Sequence, residues 1–150
     1  MRHDLPKTRD LFGFRFITLA RAWRRRIDQE LALEGFSDAT WTPLIHLAAL
    51  GDGISQTELA ERVGIDGSSL VRLIDMLAAR GLIERRIPPN DRRARLIFLT
   101  PNGRQEVVRL RKRLLRIEHE MLSDIGDESL AHLLADLETI ANRVARGGLQ

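Results

Sequence analysis

The side chains best equipped for chemistry in this 150-residue chain are arginines. Asp91-Arg92-Arg93 closes a turn cluster that begins at Pro88-Pro89-Asn90, and Arg72 follows Gly67, Ser68 and Ser69 near the start of an apolar-periodic segment. A guanidinium offers a planar fork of donors that fits phosphate oxygens or the O6/N7 edge of guanine. The chemistry on offer is therefore recognition of a polyanion. No nucleophile–base pairing or phosphate-cradling glycine loop is present, so no enzyme is expected. The chain has no cysteine, and His3, His46, His119 and His132 do not fall at metal-ligand spacing, so neither metal nor cofactor is expected.

The distribution of charge carries more than its total. The formal net charge is +3 and the pI about 10.4. That pI follows from cations that are nearly all arginine and from the absence of cysteine and tyrosine, which leaves little to titrate above neutrality. From Arg80 to Arg116 there are twelve basic residues against Glu84, Asp91 and Glu106, whereas from Ile117 to Gln150 two basic residues face seven acidic ones. One zone suits a polyanion and the tail does not; a solvated arginine-rich helix face is the plainer alternative. No stretch approaches the roughly 20 apolar residues of a membrane span. Met1 to Phe16 carries scattered charges and lacks a cleavage-site pattern, so the cytoplasm is the expected compartment.

Periodicity supplies the elements that would position these arginines. Leu11 to Leu33 reads as a long helix with Phe12, Phe16, Leu19, Trp23 and Ile27 as a buried stripe. Ser37 or Thr40 would cap a second helix running to about Leu50, with Pro43 in its first turn. Gly51-Asp52-Gly53 is a turn. Ser55-Gln56-Thr57-Glu58 is a capping box that opens a helix ended by Gly64. Asp66 caps the next helix, which buries Leu70, Leu73, Ile74 and Leu77 and stops at Gly81. Two short helices across a tight turn form a helix-turn-helix. Leu82 to Ile87 and Arg95 to Thr100 read as two strands, a hairpin tipped by Asp91, Arg92 and Arg93. A helix-turn-helix followed at once by a basic-tipped hairpin is a winged helix. Thr100 and Pro101 then open a helix with a heptad seam at Val107, Leu110, Leu114, Ile117 and Met121. A last helix repeats the rhythm at Leu130, Leu133, Leu137, Ile140 and Val144. The expected fold is mainly α with a small β-hairpin wing. Residues 1–36 and 101–150 would form a helical dimerisation lobe around a winged helix-turn-helix at 37–100, all in one intertwined domain.

The helix opened by Asp66 would point its N-terminus at base edges, as a recognition helix does. Arg72 is the candidate fork for guanine, or else an ion-pair partner of Asp75 or Asp66. Ser68 and Ser69 either contact DNA or cap the helix; Thr57 and Arg95 are counted among the DNA contacts. Arg92 or Arg93 would enter a narrow minor groove, where negative potential is focused, while Asp91 shapes the tip by pairing with a neighbouring arginine. Arg85, Arg86 and Arg95 are either phosphate contacts or hairpin braces.

These motifs together resemble the MarR family of regulators, and within it the SlyA subgroup. The matching text is Thr57-Glu58-Leu59-Ala60, Ser69-Leu70-Val71-Arg72-Leu73-Ile74-Asp75, Arg80-Gly81-Leu82-Ile83-Glu84-Arg85, Asp91-Arg92-Arg93-Ala94 and Leu99-Thr100. The resemblance implies a homodimer joined through its terminal helices, here through Phe12, Phe16, Leu110, Leu114, Ile117, Leu133, Leu137 and Ile140. It implies a transcriptional regulator, often a repressor, on pseudo-palindromic double-stranded DNA. It also implies release by a small aromatic carboxylate or phenolic ligand, in a pocket that maps onto Arg21, Arg24, Trp41, Ile45 and His46. An architectural DNA-binding protein without effector control is the alternative. The lack of cysteine excludes a thiol-based sensor.

Overall fold

The computed structural model describes residues 8–36 and 39–147 and divides the chain into two compact units, residues 1–115 and 116–150. Among the described residues nine elements follow one another: α1 (Thr8–Leu33), α2 (Trp41–Leu50), β1 (Ile54–Ser55), α3 (Gln56–Val63), α4 (Gly67–Ala79), β2 (Ile83–Arg86), β3 (Leu96–Leu99), α5 (Pro101–Met121) and α6 (Asp127–Ala145). The fold is mainly helical with a small sheet, as the periodicities required. The boundary between the units falls inside α5.

In the first unit the core gathers Leu44 and Leu47 from α2, Leu59 from α3, Leu70, Ile74 and Leu77 from α4, and Ile97 and Leu99 from β3. Spacings of three and four put the α4 leucines and isoleucine on one stripe, and all are buried. Ser55 caps α3 by accepting the Glu58 amide at 3.1 Å, and Gly64 ends that helix in the left-handed conformation. Pro43 is buried in the first turn of α2, where a missing amide hydrogen costs nothing.

The expected β2–β3 hairpin is joined by a third strand: β3 lies centrally, with β2 on one edge and the two-residue β1 on the other, both antiparallel. Two expectations need correction. Thr40 sits at the N-cap of α2 but makes no side-chain cap; its hydroxyl accepts from Arg80 Nη1 at 3.0 Å. Ser37, the other candidate cap, lies outside the described residues. The stripe on α1 is not buried by this chain: Ile27 and Leu31 are, but Phe12, Phe16 and Leu19 are exposed and Trp23 half-exposed. Phe12 and Phe16 stack on each other with centroids 5.6 Å apart. The C-terminal end of α1 is fixed differently. Arg113 of α5 pairs with Glu34, and Arg109 lies over the Phe36 ring at 5.0 Å.

In the second unit α6 starts at Gly126 with Asp127 and Glu128 in its first turn, which complements the helix dipole. None of its residues is buried. Among the described residues, no helix is long and apolar enough to cross a membrane.

The junction between sheet and α5 is closely fitted. The Thr100 amide donates to the Leu82 carbonyl, its hydroxyl donates to the Gly81 carbonyl at 2.6 Å, and that hydroxyl accepts the Gly103 amide at 3.0 Å. A Cβ on Gly103 would fall 1.9 Å from the Leu82 carbonyl oxygen, so only glycine lets α5 start here. Backbone must shift to admit a methyl group. Gly103→Ala is therefore expected to destabilise the first unit by about 1–3 kcal/mol, despite alanine's better helix propensity. Chemical denaturation checks this, and an unchanged or raised midpoint would show the approach to be loose.

Candidate nucleic-acid interface

Helix α4 carries the first group of candidate residues. Asp66 sits at its N-cap and accepts the Ser69 amide at 2.8 Å, the Ser69 hydroxyl at 2.6 Å and the Ser68 hydroxyl at 2.5 Å. The two serines thus support the Asp66 cap in this structure: each donates its only hydroxyl hydrogen to that carboxylate. A phosphate needs donors, so a serine contact to DNA would require that hydroxyl to rotate away. The three donors, with the Ser68 hydroxyl foremost, hold the Asp66 carboxyl well below the usual carboxylate range.

Arg72, one turn further on, is exposed and makes no side-chain hydrogen bond or ion pair among the described residues. Both carboxylates considered as its partner have other partners. Asp66 holds the serines, and Asp75 Oδ1 pairs with Arg85 Nη2 from β2 at 2.5 Å. Thr57, in the first turn of α3, is exposed as well. Arg62 in the last turn of α3 is exposed and has no partner among the described residues, and its charge complements the negative end of that helix.

The wing tip between β2 and β3 satisfies its own backbone. The Asp91 amide donates to the Pro88 carbonyl and the Ala94 amide to the Asp91 carbonyl, both at 3.3 Å. Asp91 does shape the tip, but its carboxylate accepts the Arg93 backbone amide at 2.9 Å rather than a guanidinium. Arg95 braces the tip by donating to the carbonyls of Arg92 and Ala94 at 2.9 and 3.0 Å. Arg86 pairs with Glu84 and lies 4.1 Å over the Phe98 ring. Arg92 and Arg93 remain exposed, with neither hydrogen bond nor ion pair from their guanidiniums among the described residues. The arginines whose roles the sequence left open thus separate: Arg85, Arg86 and Arg95 brace, while Arg72, Arg92 and Arg93 project.

A residue that sequence reasoning missed fixes the wing to the rest. Asp52 accepts the Leu99 amide at 3.0 Å and pairs with Arg104 of α5. The Leu99 amide, then Arg104, draws its carboxyl below the ordinary value. Its place between two glycines reads as a turn, and no local signal points to a partner 47 residues away.

The effector candidates assemble only in part. Arg24 stacks over Trp41 at 4.5 Å, contacts Asp28 at 3.2 Å and donates to Thr42 Oγ1 at 2.8 Å, while the Trp41 indole donates to Asp28 at 2.9 Å. Trp41 is buried, Ile45 and His46 are half-buried, and Arg21 lies exposed beside Phe16, Ile17 and Ala20 on an open face of α1. The dimer candidates also divide. Phe12, Phe16, Leu133 and Ile140 are exposed and Leu114 and Leu137 half-exposed, but Leu110 and Ile117 are already buried within the chain and offer no free surface.

The Asp66 network has a pH signature. A depressed carboxyl stabilises the fold fully above the ordinary carboxylate pKa, and this is lost as pH falls through the depressed value. Comparing melting of the wild type with Asp66→Ala, the gap is expected to stay constant above about pH 5 and narrow below about pH 3. A gap that persisted to the acid limit would show that the charge on Asp66 contributes nothing.

The model of the MarR family matches residues 34–94, the span from the end of α1 to the wing tip. A transcriptional regulator designated PA3341 is 33% identical, with a TM-score of 0.79, covering 91% of this chain and 99% of its own. The transcriptional repressor CouR, bound to a 23-mer DNA duplex, is 31% identical with a TM-score of 0.72, over 92% of this chain and 99% of its own. The PcaV transcriptional regulator from Streptomyces coelicolor, in complex with its natural ligand, is 26% identical with a TM-score of 0.68, over 83% and 89%. These likenesses bear on the family and not on its SlyA subgroup. By this family match and these likenesses in sequence and fold, this chain belongs to the MarR family of transcriptional regulators.

Proposed function

We propose that the chain acts as a homodimeric repressor on a pseudo-palindromic operator, with α4 in the major groove and the wing in the flanking minor groove. One observation carries this reading. Arg72, Arg92 and Arg93 project from the two elements without a partner among the described residues, while Arg85, Arg86 and Arg95 around them are held by partners. A guanidinium kept unpaired at the N-terminal half of a recognition helix suits guanine, and one on a braced hairpin tip suits a narrow minor groove. Dimerisation is supported by the exposed apolar residues of α1 and α6, Phe12, Phe16, Leu133 and Ile140 among them. Repression is supported by the likeness to CouR. The compartment is that of the DNA, the cytoplasm.

Control by a small aromatic anion is the finer part of the proposal. It is supported by the ligand-bound relative PcaV and by the cluster of Arg24, Trp41 and Asp28. An aromatic carboxylate would replace Asp28 against Arg24 and the indole N–H, and so would have to compete with an internal carboxylate. An architectural protein would bind without either specificity or release.

The test is selection of duplexes from a random-sequence pool, followed by affinity measurement. Arg92→Ala with Arg93→Ala is expected to weaken binding about 10- to 100-fold and to lower the salt dependence by about two charges. Arg72→Ala is expected to relax preference at one base position by about 1–3 kcal/mol. Sedimentation at micromolar concentration should show a dimer, and aromatic carboxylates should release the wild type but not Arg24→Ala. Unchanged binding by the wing variant, equal loss on every duplex for Arg72→Ala, or a monomer would each refute the matching part.

A further inference from the structure

We propose that Arg85 is a positioning residue for DNA recognition: by holding Asp75, it keeps the guanidinium of Arg72 available for bases. The proposal rests on the reading of α4 as the DNA-reading helix and adds to it a residue on another element. Arg72 and Asp75 lie three apart on α4, a spacing at which side chains on a helix are neighbours. An unoccupied Asp75 would therefore be the nearest partner for Arg72, and a paired arginine is a poorer fork for guanine. The other local carboxylate, Asp66, is occupied by Ser68 and Ser69.

Asp75 is occupied from outside the helix. Arg85 reaches it from β2, where its backbone pairs in register with Ile97 of the central strand. Arg85 is thereby anchored to the most buried strand of the sheet. Its side chain is 31% exposed against 57% for Asp75, so Arg85 is the more fixed member of the pair. The i, i+3 alternative within α4 is weak and salt-sensitive. An anchored guanidinium at 2.5 Å outcompetes it. The same ion pair ties the wing strand to the recognition helix, so the two reading elements share one contact.

The experiment compares affinity for a duplex selected from a random pool with affinity for a shuffled duplex of equal length. The readout is the ratio of the two, which loss of a phosphate contact leaves unchanged. Arg85→Ala is expected to lower the ratio by a factor of about 1.4 to 2.3, the effect of one i, i+3 ion pair. Adding Asp75→Asn should restore it, and Arg85→Lys should keep it. In an Arg72→Ala background Arg85→Ala should leave the ratio unmoved, because the residue it acts through is gone. Asp75→Asn alone should also preserve the ratio, and this arm stands even if Arg85→Ala does not fold. Equal weakening on both duplexes, with no rescue by Asp75→Asn, would make Arg85 a phosphate contact and overturn the proposal. Loss of the ratio in Asp75→Asn alone would overturn it too, by making the bridge itself the requirement. If Arg72→Ala does not change the ratio, the reading of α4 fails and the proposal with it.

Discussion

Strand β3 is hydrogen-bonded along both edges, and the face proposed to read DNA is assembled on that double pairing. On one side it meets β2, from which Arg85 reaches α4. On the other it meets β1, which leads at once into the capped start of α3. Its Leu99 amide is held by Asp52, and its end passes through Thr100 into α5. Ile97 at its centre is fully buried. A four-residue strand cannot hold itself, but one paired on both edges, sealed by a buried isoleucine and clamped by a carboxylate, can serve as the reference for everything attached to it.

From that reference the charges sort themselves. The arginines nearest the sheet are neutralised by carboxylates, carbonyls or an aromatic face, and these pairings hold the shape of the wing. Surface ion pairs contribute little to stability individually, so their value here is geometric. They leave Arg72 on a rigid helix and Arg92 and Arg93 on a tip whose backbone is already satisfied by Asp91 and Arg95. A charge held on a preorganised support loses less freedom when it meets phosphate or base than one on a floppy loop.

Much of this was legible in the sequence because it is local. The α4 stripe of Leu70, Leu73, Ile74 and Leu77, the caps at Ser55, Asp66 and Thr100, and the turn at the wing tip all follow from residues a few positions apart. What was not legible is long-range or very short. Strand β1 is two residues long and carries no alternation to read. Asp52 finds its partners 47 and 52 residues away. Gly103 reads as an ordinary first-turn residue until the Leu82 carbonyl is seen against it. The apolar period of α1 marks a stripe that this chain leaves mostly exposed, since periodicity reports a need for burial and not where burial comes from. The serines of α4 were ambiguous for a chemical reason: a hydroxyl suited to phosphate is equally suited to a cap carboxylate.

The central claim is that helix and wing read two different grooves. Methylation interference with dimethyl sulfate tests it most directly, because that reagent marks guanine N7 in the major groove and adenine N3 in the minor groove of the same duplex. On a selected duplex, guanine N7 interference is expected within each half-site and adenine N3 interference in the flanking A·T steps. The latter should disappear when Arg92 and Arg93 are both replaced by alanine. Interference confined to guanine N7, unchanged in that variant, would contradict the account.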